Sequence, residues 1–390
     1  MTQAPILMLA DVDFATPDGT RSHVSEIARG FARAGRAVEL VARGPDPHLE
    51  GVTYRRADLR RSGRVGRIVM MNLAGIRAVA SMRRRTRLLY YRFDPGLVGV
   101  VLIARILGYR PVAEMNNLMF GQDYPDRGRG PAEAAVDRAK VLAMKVAARV
   151  TVGFVAVTDR ISGILVSAYR VPESRVRVLA NGVDVERFHP MDRADAARRV
   201  GLDPAERHVL FVGLLADWVD FRSMLTAFND AAVSRPGARF VVVGDGPEAA
   251  AVDRLVDELH LVDRVIRTGG VTDRERVSEY MGAASFCVVA YHGAMLERIG
   301  GGSPMKVLEY MAAGRAVLTT KTEGVVDVVG STGAGVVVDD ARMMATAMGE
   351  LLDDQRRADE LGEAGRAAAV ERFSWAPVVA ETLALLDPPA

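Results

Sequence analysis

The residues best suited to chemistry lie in one stretch, Glu297 to Val317, which reads ERIGGGSPMKVLEYMAAGRAV. Three glycines (Gly300, Gly301, Gly302), Ser303 and Pro304 lead into a helical pattern that carries Met305, Lys306 and Glu309. A glycine-rich loop opening a helix leaves backbone N–H groups unpaired at the positive end of the helix dipole, which suits an anion such as phosphate. Glu309 lies about two turns in, too far along to cap the helix. It either serves a ligand or is a surface residue of an ordinary loop–helix–strand unit.

A second group sits near the N-terminus. Ile6 to Ala10 reads as a buried strand, Pro17-Asp18-Gly19 as a turn, and residues 22 to 34 as an amphipathic helix with Val24, Ile27, Ala28 and Phe31 at helical spacing. With the strand at 37 to 42 this is a βαβ unit, and ligands bind beyond the carboxyl ends of such strands. Gly19, Thr20 and His23 therefore border a binding rim, and the strand Pro111 to Glu114 delivers Glu114 and Asn116 to it. The plain alternatives are a surface histidine at a helix start and polar caps at a strand end.

The same alternation positions both groups. Strands at 88–91, 111–114, 150–157 and 175–179 are separated by helices at 97–107, 132–149 and 159–169, and a polar helix near 192–199 after Pro190 reads as a linker. The rhythm then restarts. A strand at 209–212 ends at Gly213, a helix at 221–232 carries Arg222 in its first turn, and further strands end at Gly244 and at Gly269-Gly270. This is an α/β chain of two doubly wound, Rossmann-like domains facing across a cleft, a frame that holds a phosphorylated ligand on one side and a second molecule on the other. No GxGxxG dinucleotide fingerprint, P-loop, HExxH or GxSxG motif is present.

Composition narrows the class. The chain is 49% hydrophobic and 26% charged, ordinary for a globular protein, and its lone Cys287 excludes an internal disulfide. The N-terminus reads as a first strand rather than a signal peptide, and the longest apolar run, Leu97 to Leu107, is too short to span a bilayer, so a cytoplasmic location is expected. The net charge of +2 hides an asymmetry: 25 basic against 14 acidic residues in 1–150, and 26 against 35 in 151–390. The excess concentrates between Arg55 and Arg87. A solvated basic face is one reading; contact with an anionic membrane surface, peripheral at the inner face, or with an anionic acceptor is the sharper one. Nucleic acid is not expected, because no aromatic residues interleave with the arginines.

Five segments resemble a known family in order and spacing. GTRSHVSEIARGFARAGRAVELV (19–41) is similar to its N-terminal glycine loop, NGVDVERFHP (181–190) to its NGVDxxxFxP pattern, and VVVGDGPE (241–248) to its GDGP turn. Residues 265–291 resemble its base-binding segment, and SPMKVLEYMAAGRAV (303–317) its SPxKxxEYMAxG subgroup. The family is that of retaining glycosyltransferases numbered four, with the GT-B fold. ERFSW (371–375) and the following helix are similar to its tail, so the resemblance implies an N-terminal acceptor-side domain at 1–188, a nucleotide-sugar domain at 189–372, and a helix at 373–390 crossing back.

The resemblance implies a hexosyltransferase that moves a sugar from a UDP or GDP sugar to a small-molecule natural product or a lipid-linked cell-envelope acceptor, with no metal or other cofactor. It assigns the ribose hydroxyls to Glu309, the diphosphate or sugar to Gly301, Gly302, Ser303, Pro304 and Met305, and the base to Gly269, Gly270 and Val271, with Gly213 on the same donor side. Gly19 and Thr20 complete the phosphate site; His23, Glu114, Asn116 and Glu297 are the acceptor or sugar contacts. Several positions depart from the family pattern: Gly301 stands where a second acid is usual, Val219 where Lys or Gln is usual, and AEMNN where a histidine often stands. Lys306 and Arg222 are left as candidate cations for the leaving diphosphate. A nucleotide-sugar 2-epimerase and a degenerate, non-catalytic accessory protein share the architecture and are the competing readings.

Overall fold

The computed structural model describes residues 3–16, 19–57, 63–116, 131–293, 305–322 and 324–387. Two compact units emerge: one runs to Asn181 and regains the chain from Trp375 onward, and the other begins at Gly182 and ends at Ser374.

The first unit is built on seven strands: β1 (Ile6–Asp13), β2 (Val38–Arg43), β3 (Val52–Arg56), β4 (Leu88–Arg92), β5 (Arg110–Met115), β6 (Gly153–Ala156) and β7 (Val176–Val178). They lie in the order β3-β2-β1-β4-β5-β6-β7, every pair parallel. Central parallel strands are covered on both faces and so read as unbroken apolar runs; Ile6 to Ala10 are all fully buried. One face carries α2 (Arg64–Met82), α3 (Val98–Ile106), α4 (Pro131–Val150) and α5 (Asp159–Ser167). The other carries α1 (Gly19–Arg33) and the last helix, Trp375–Leu386, which inserts Trp375, Val379 and Leu386 into the same core. A Cβ on Gly30 of α1 would come within 2.3 Å of Val379, so glycine is what lets these two helices touch. Arg36 closes the contact by an ion pair to Asp387 at 3.0 Å.

β3 and α2 fill the segment that the sequence reading described by its charge alone. Apolar residues there are interleaved with arginines, so neither a period of two nor a clean stripe stands out.

The second unit has six strands: β8 (Arg207–Val212), β9 (Ala238–Val243), β10 (Val265–Gly269), β11 (Phe286–Val289), β12 (Val317–Thr320) and β13 (Gly335–Val338). Their order is β10-β9-β8-β11-β12-β13, again all parallel. Its helices are α6 (Arg193–Val200), α7 (Phe221–Ala232), α8 (Ala249–Glu258), α9 (Arg274–Ala283), α10 (Met305–Ala312), α11 (Val325–Thr332), α12 (Ala341–Asp353) and α13 (Gln355–Arg372); the last helix of the chain is α14. The segment read as a linker helix is α6, a working part of this core. Asp192 caps its start by accepting from Asp195 N (2.8 Å), left-handed Gly201 ends it, and Ala196, Ala197 and Val200 are buried.

Candidate functional site

In the second unit the carboxyl ends of three neighbouring strands are zipped together by backbone bonds. Gly213 N donates to Val243 O (2.9 Å), Leu215 N to Asp245 O (3.0 Å) and Gly244 N to Gly269 O (2.9 Å). This closeness needs glycine: a Cβ on Gly244, whose φ is +145°, would lie 1.9 Å from the Gly213 carbonyl oxygen. Gly269 also has a positive φ, +71°, and Val271 is half-buried against the unit's core.

α10 is bolted to this rim. The Val212 N–H donates to the Tyr310 hydroxyl (2.9 Å), which donates in turn to Val212 O (3.3 Å). The bond holds the second turn of α10 at the end of β8, and Lys306, four residues earlier on the helix, lies against Gly213. A Cβ on Gly213 (φ +148°) would fall 2.1 Å from Lys306 Cε, so the lysine stem occupies the space that the glycine leaves. The ammonium lies 4.9 Å from the Phe211 ring centroid and 5.9 Å from that of Tyr291, within cation–π range. No carboxylate or carbonyl among the described residues accepts a hydrogen bond from it. Burial pushes its pKa from 10.5 down to about 8, with Glu309 pulling weakly the other way. Buried Arg315 is a useful contrast: it donates to the carbonyls of Met281 (3.2 Å), Met191 (2.9 Å) and Gly282 (2.5 Å), and is thereby satisfied as a structural cation.

Glu309 follows Lys306 by three residues on α10 and is buried. Its Oε1 accepts from Arg274 Nη2 at 2.5 Å, and Oε2 makes no hydrogen bond among the described residues. Arg274 opens α9, where Asp273 caps the helix, and its guanidinium lies 4.9 Å from the centroid of the Phe188 ring. Sequence reasoning missed Arg274, because in the run DRER it reads as one charge of a solvated helix start.

In the first unit, His23 on α1 and Glu114 at the end of β5 form a buried pair, Nε2 to Oε1 at 2.5 Å. An ionised carboxylate can only accept, so Nε2 carries the hydrogen. The Trp375 ring packs edge-on against the imidazole at 5.2 Å. Arg92, paired in register with Glu114 across β4 and β5, brings Nη1 to 3.9 Å from Oε2. Burial alone raises the Glu114 pKa, but His23, Arg92 and the Tyr90 hydroxyl outweigh it and hold the carboxyl at about 2. His23 Nδ1, Glu114 Oε2 and Asn116 Nδ2 are buried without a hydrogen-bond partner among the described residues. Buried polar atoms are normally satisfied, so these three, one on α1 and two at the end of β5, are available to a polar ligand.

The structure thus brings Lys306, Gly213 and Glu309 together in one unit, and His23, Glu114 and Asn116 in the other. Gly19 is exposed at the first residue of α1 beside half-buried Thr20, and nothing within 4 Å of Gly19 would obstruct a side chain. Arg222 requires correction. It is exposed and makes a two-pronged ion pair with Glu258 of α8 (2.8 and 3.0 Å), so it ties α7 to α8 at the surface and does not join Lys306. Glu297, Gly301, Gly302, Ser303 and Pro304 lie outside the described residues. No cluster of three or more metal-binding side chains occurs among the described residues.

Comparison with known proteins extends this picture. Residues 17–187 match the family model described as Glycosyltransferase Family 4, and residues 206–354 that described as Glycosyl transferases group 1. A D-inositol 3-phosphate glycosyltransferase from Thermobispora bispora is 31% identical over 227 residues, covering 55% of this chain and 51% of that protein. A GDP-mannose-dependent alpha-(1-6)-phosphatidylinositol monomannoside mannosyltransferase from Mycolicibacterium smegmatis is 29% identical over 208 residues, covering 52% and 54%. The chain spans about half the length of these relatives. Among solved structures, sucrose-phosphate synthase from Thermosynechococcus elongatus aligns over 97% of both chains with a TM-score of 0.76 at 21% identity, which establishes the GT-B fold.

Proposed function

The chain belongs to the group 1 and family 4 glycosyltransferases, and we propose that it transfers a sugar, with retention, from a UDP or GDP sugar to a hydroxyl of a small or lipid-linked acceptor. The observation that carries this reading is the pairing on one turn of α10: an ammonium at the glycine rim with no hydrogen-bonded carboxylate among the described residues and, three residues on, a carboxylate with one oxygen anchored. A nucleoside diphosphate offers the complementary sequence of groups. Its phosphates meet Lys306, and its ribose hydroxyls donate to Glu309 Oε2 while Arg274 holds Oε1 and fixes the rotamer. A diphosphate beside Lys306 raises the lysine pKa from about 8, so the ammonium is charged when the leaving group departs. The backbone of Gly269 to Val271 serves the base.

The orphaned atoms of His23, Glu114 and Asn116 combine hydrogen-bond acceptors and donors, a set suited to the hydroxyls of a sugar or cyclitol. With its pKa held at about 2, Glu114 is a weak base, so it orients a hydroxyl rather than deprotonating it. The departing diphosphate then takes the acceptor proton on the face where the new bond forms, and the anomeric configuration is kept. The names of two relatives specify inositol phosphate and phosphatidylinositol mannoside chemistry, which favours a polyol acceptor here.

Incubation with UDP- and GDP-sugars tests the proposal. Nucleoside diphosphate released only when an acceptor is present, with an α-configured product by NMR, is the expected result. A 2-epimer formed without acceptor would point to epimerisation instead, and failure to bind any nucleotide sugar would point to an accessory role.

A further inference from the structure

One surface of the first unit is not used by either ligand. On α2, Val65, Val69 and Leu73 recur every four residues and are 75%, 49% and 42% exposed. α3 lies directly against α2: the Asn72 side chain donates to Gly96 O (2.6 Å) and accepts from Val100 N (3.0 Å). It adds exposed Leu102 and Ile106, and neighbouring α4 adds Val136 and Leu142. Three adjacent helices on one face of the sheet therefore turn large aliphatic side chains to water, which a monomer's surface seldom gathers in one place. The window Val65–Met82 has a mean hydropathy of 1.2, long and apolar enough to cross a bilayer by composition. Its inner side is committed elsewhere, however, since Met71, Ala78, Val79 and Met82 are buried in the core beneath. A helix so placed can lie on a membrane but not span it.

On α2 and α3 the charge around this stripe is one-sided, while α4 adds Glu133 and Asp137 against Arg138, Lys140, Lys145 and Arg149. Residues 63–110 contain ten arginines and a single acid, Asp94, whose carboxylate accepts from Gly96 N (2.7 Å). Some of these arginines are engaged inward: Arg67 lies 3.5 Å from Asp11 and Arg92 faces Glu114. Upstream, Arg55 is tied to Glu39, so the basic face suggested by the sequence is narrower than Arg55 to Arg87. Arg77 on α2, Arg83, Arg84 and Arg85 just after it, and Arg105 on α3 remain exposed. A second copy docking here would set arginine against arginine, and like charges in contact disfavour it.

We propose that the α2–α3–α4 face docks on an anionic phospholipid surface, with the aliphatic side chains at headgroup depth and the arginines on lipid phosphates. Each such arginine contributes about fivefold in partitioning, and the buried aliphatic area adds to it. The test is co-sedimentation of the full chain with vesicles of phosphatidylcholine alone or with about 30 mol% phosphatidylglycerol. Two variants accompany it, Val69→Ser/Leu73→Ser and Arg83→Gln/Arg84→Gln/Arg85→Gln, each checked by circular dichroism. Wild type is expected to bind the anionic vesicles at least about tenfold better than the neutral ones, and each variant to lose at least about tenfold, the triple arginine variant most. Undiminished binding by the serine pair would overturn the proposal in favour of a merely solvated basic face. Equal binding to neutral vesicles would also overturn it, as would a solution dimer that the serine pair dissolves. Vesicle binding needs no nucleotide, so failure here leaves the glycosyl-transfer reading standing.

Discussion

Replacing Lys306 by methionine should stabilise the second unit and weaken its hold on nucleotide. The ammonium sits between Phe211, Tyr291 and the Gly213 backbone with no acidic partner among the described residues. A fall in pKa from 10.5 to about 8 corresponds to about 3 kcal/mol of stability sacrificed to keep the charge there. Methionine keeps the stem packing but forfeits the cation–π contacts, worth about 1 kcal/mol, so the net gain at pH 7 is about 2 kcal/mol. The sign follows from proton binding. Below pH 8 both folded and unfolded chains carry the proton, and the penalty is complete. Between about 8 and 10.5 the unfolded chain holds a proton that the folded chain has shed, so wild-type stability rises relative to the variant. Calorimetric unfolding at pH 7 and pH 10 reads this directly, using the transition that UDP or GDP raises as the marker of the second unit. The methionine advantage should be clear at pH 7 and mostly gone at pH 10, while affinity for the nucleoside diphosphate falls at least about tenfold, the scale of one charge-assisted hydrogen bond. A variant that melts below wild type at pH 7, a gap that ignores pH, or unchanged nucleotide affinity would refute the reasoning.

Other substitutions probe the remaining contacts. Gly213→Ala places a methyl group 2.1 Å from Lys306 Cε at a φ of +148°; it should cost about 1–3 kcal/mol and raise the donor KM, with kcat less affected. Glu114 has a folded pKa below its ordinary 4.5, so its contribution is complete above that value and is lost as pH falls toward 2. Glu114→Gln should remove this acid dependence and cost about 3 kcal/mol in urea unfolding at pH 7. Arg222→Gln should leave both melting temperature and donor KM nearly unchanged, since the arginine is exposed and its ion pair is with Glu258 at the surface.

The sequence shows most of this architecture because buried parallel strands are apolar on both faces and end in glycine. Runs such as FVVVGDGP are hard to mistake, and helices with clean capping, such as α7 behind Asp220, are bounded almost to the residue. Where side chains serve surface and core at once, the pattern blurs: α2 carries arginines and an exposed aliphatic stripe on the same helix, so charge dominates its reading. In the candidate site, Glu309 and Lys306 are legible from their loop and helix. Their partners are not, because Arg274 is 35 residues away in sequence and Arg92 and Tyr90 reach Glu114 only through strand pairing. Arg222 fails for the opposite reason, since position in a first helical turn does not say which way a long side chain leans.

The central claim is that Glu309 and Lys306 hold the nucleoside diphosphate of a sugar donor. Isothermal titration of UDP and GDP into wild type and Glu309→Ala tests it most directly, with circular dichroism to confirm the fold. One of the two nucleotides should bind wild type at one site per chain and lose at least about tenfold in affinity in the variant, the value of a hydrogen bond to a charged group. Unchanged affinity in a folded Glu309→Ala protein would contradict the account.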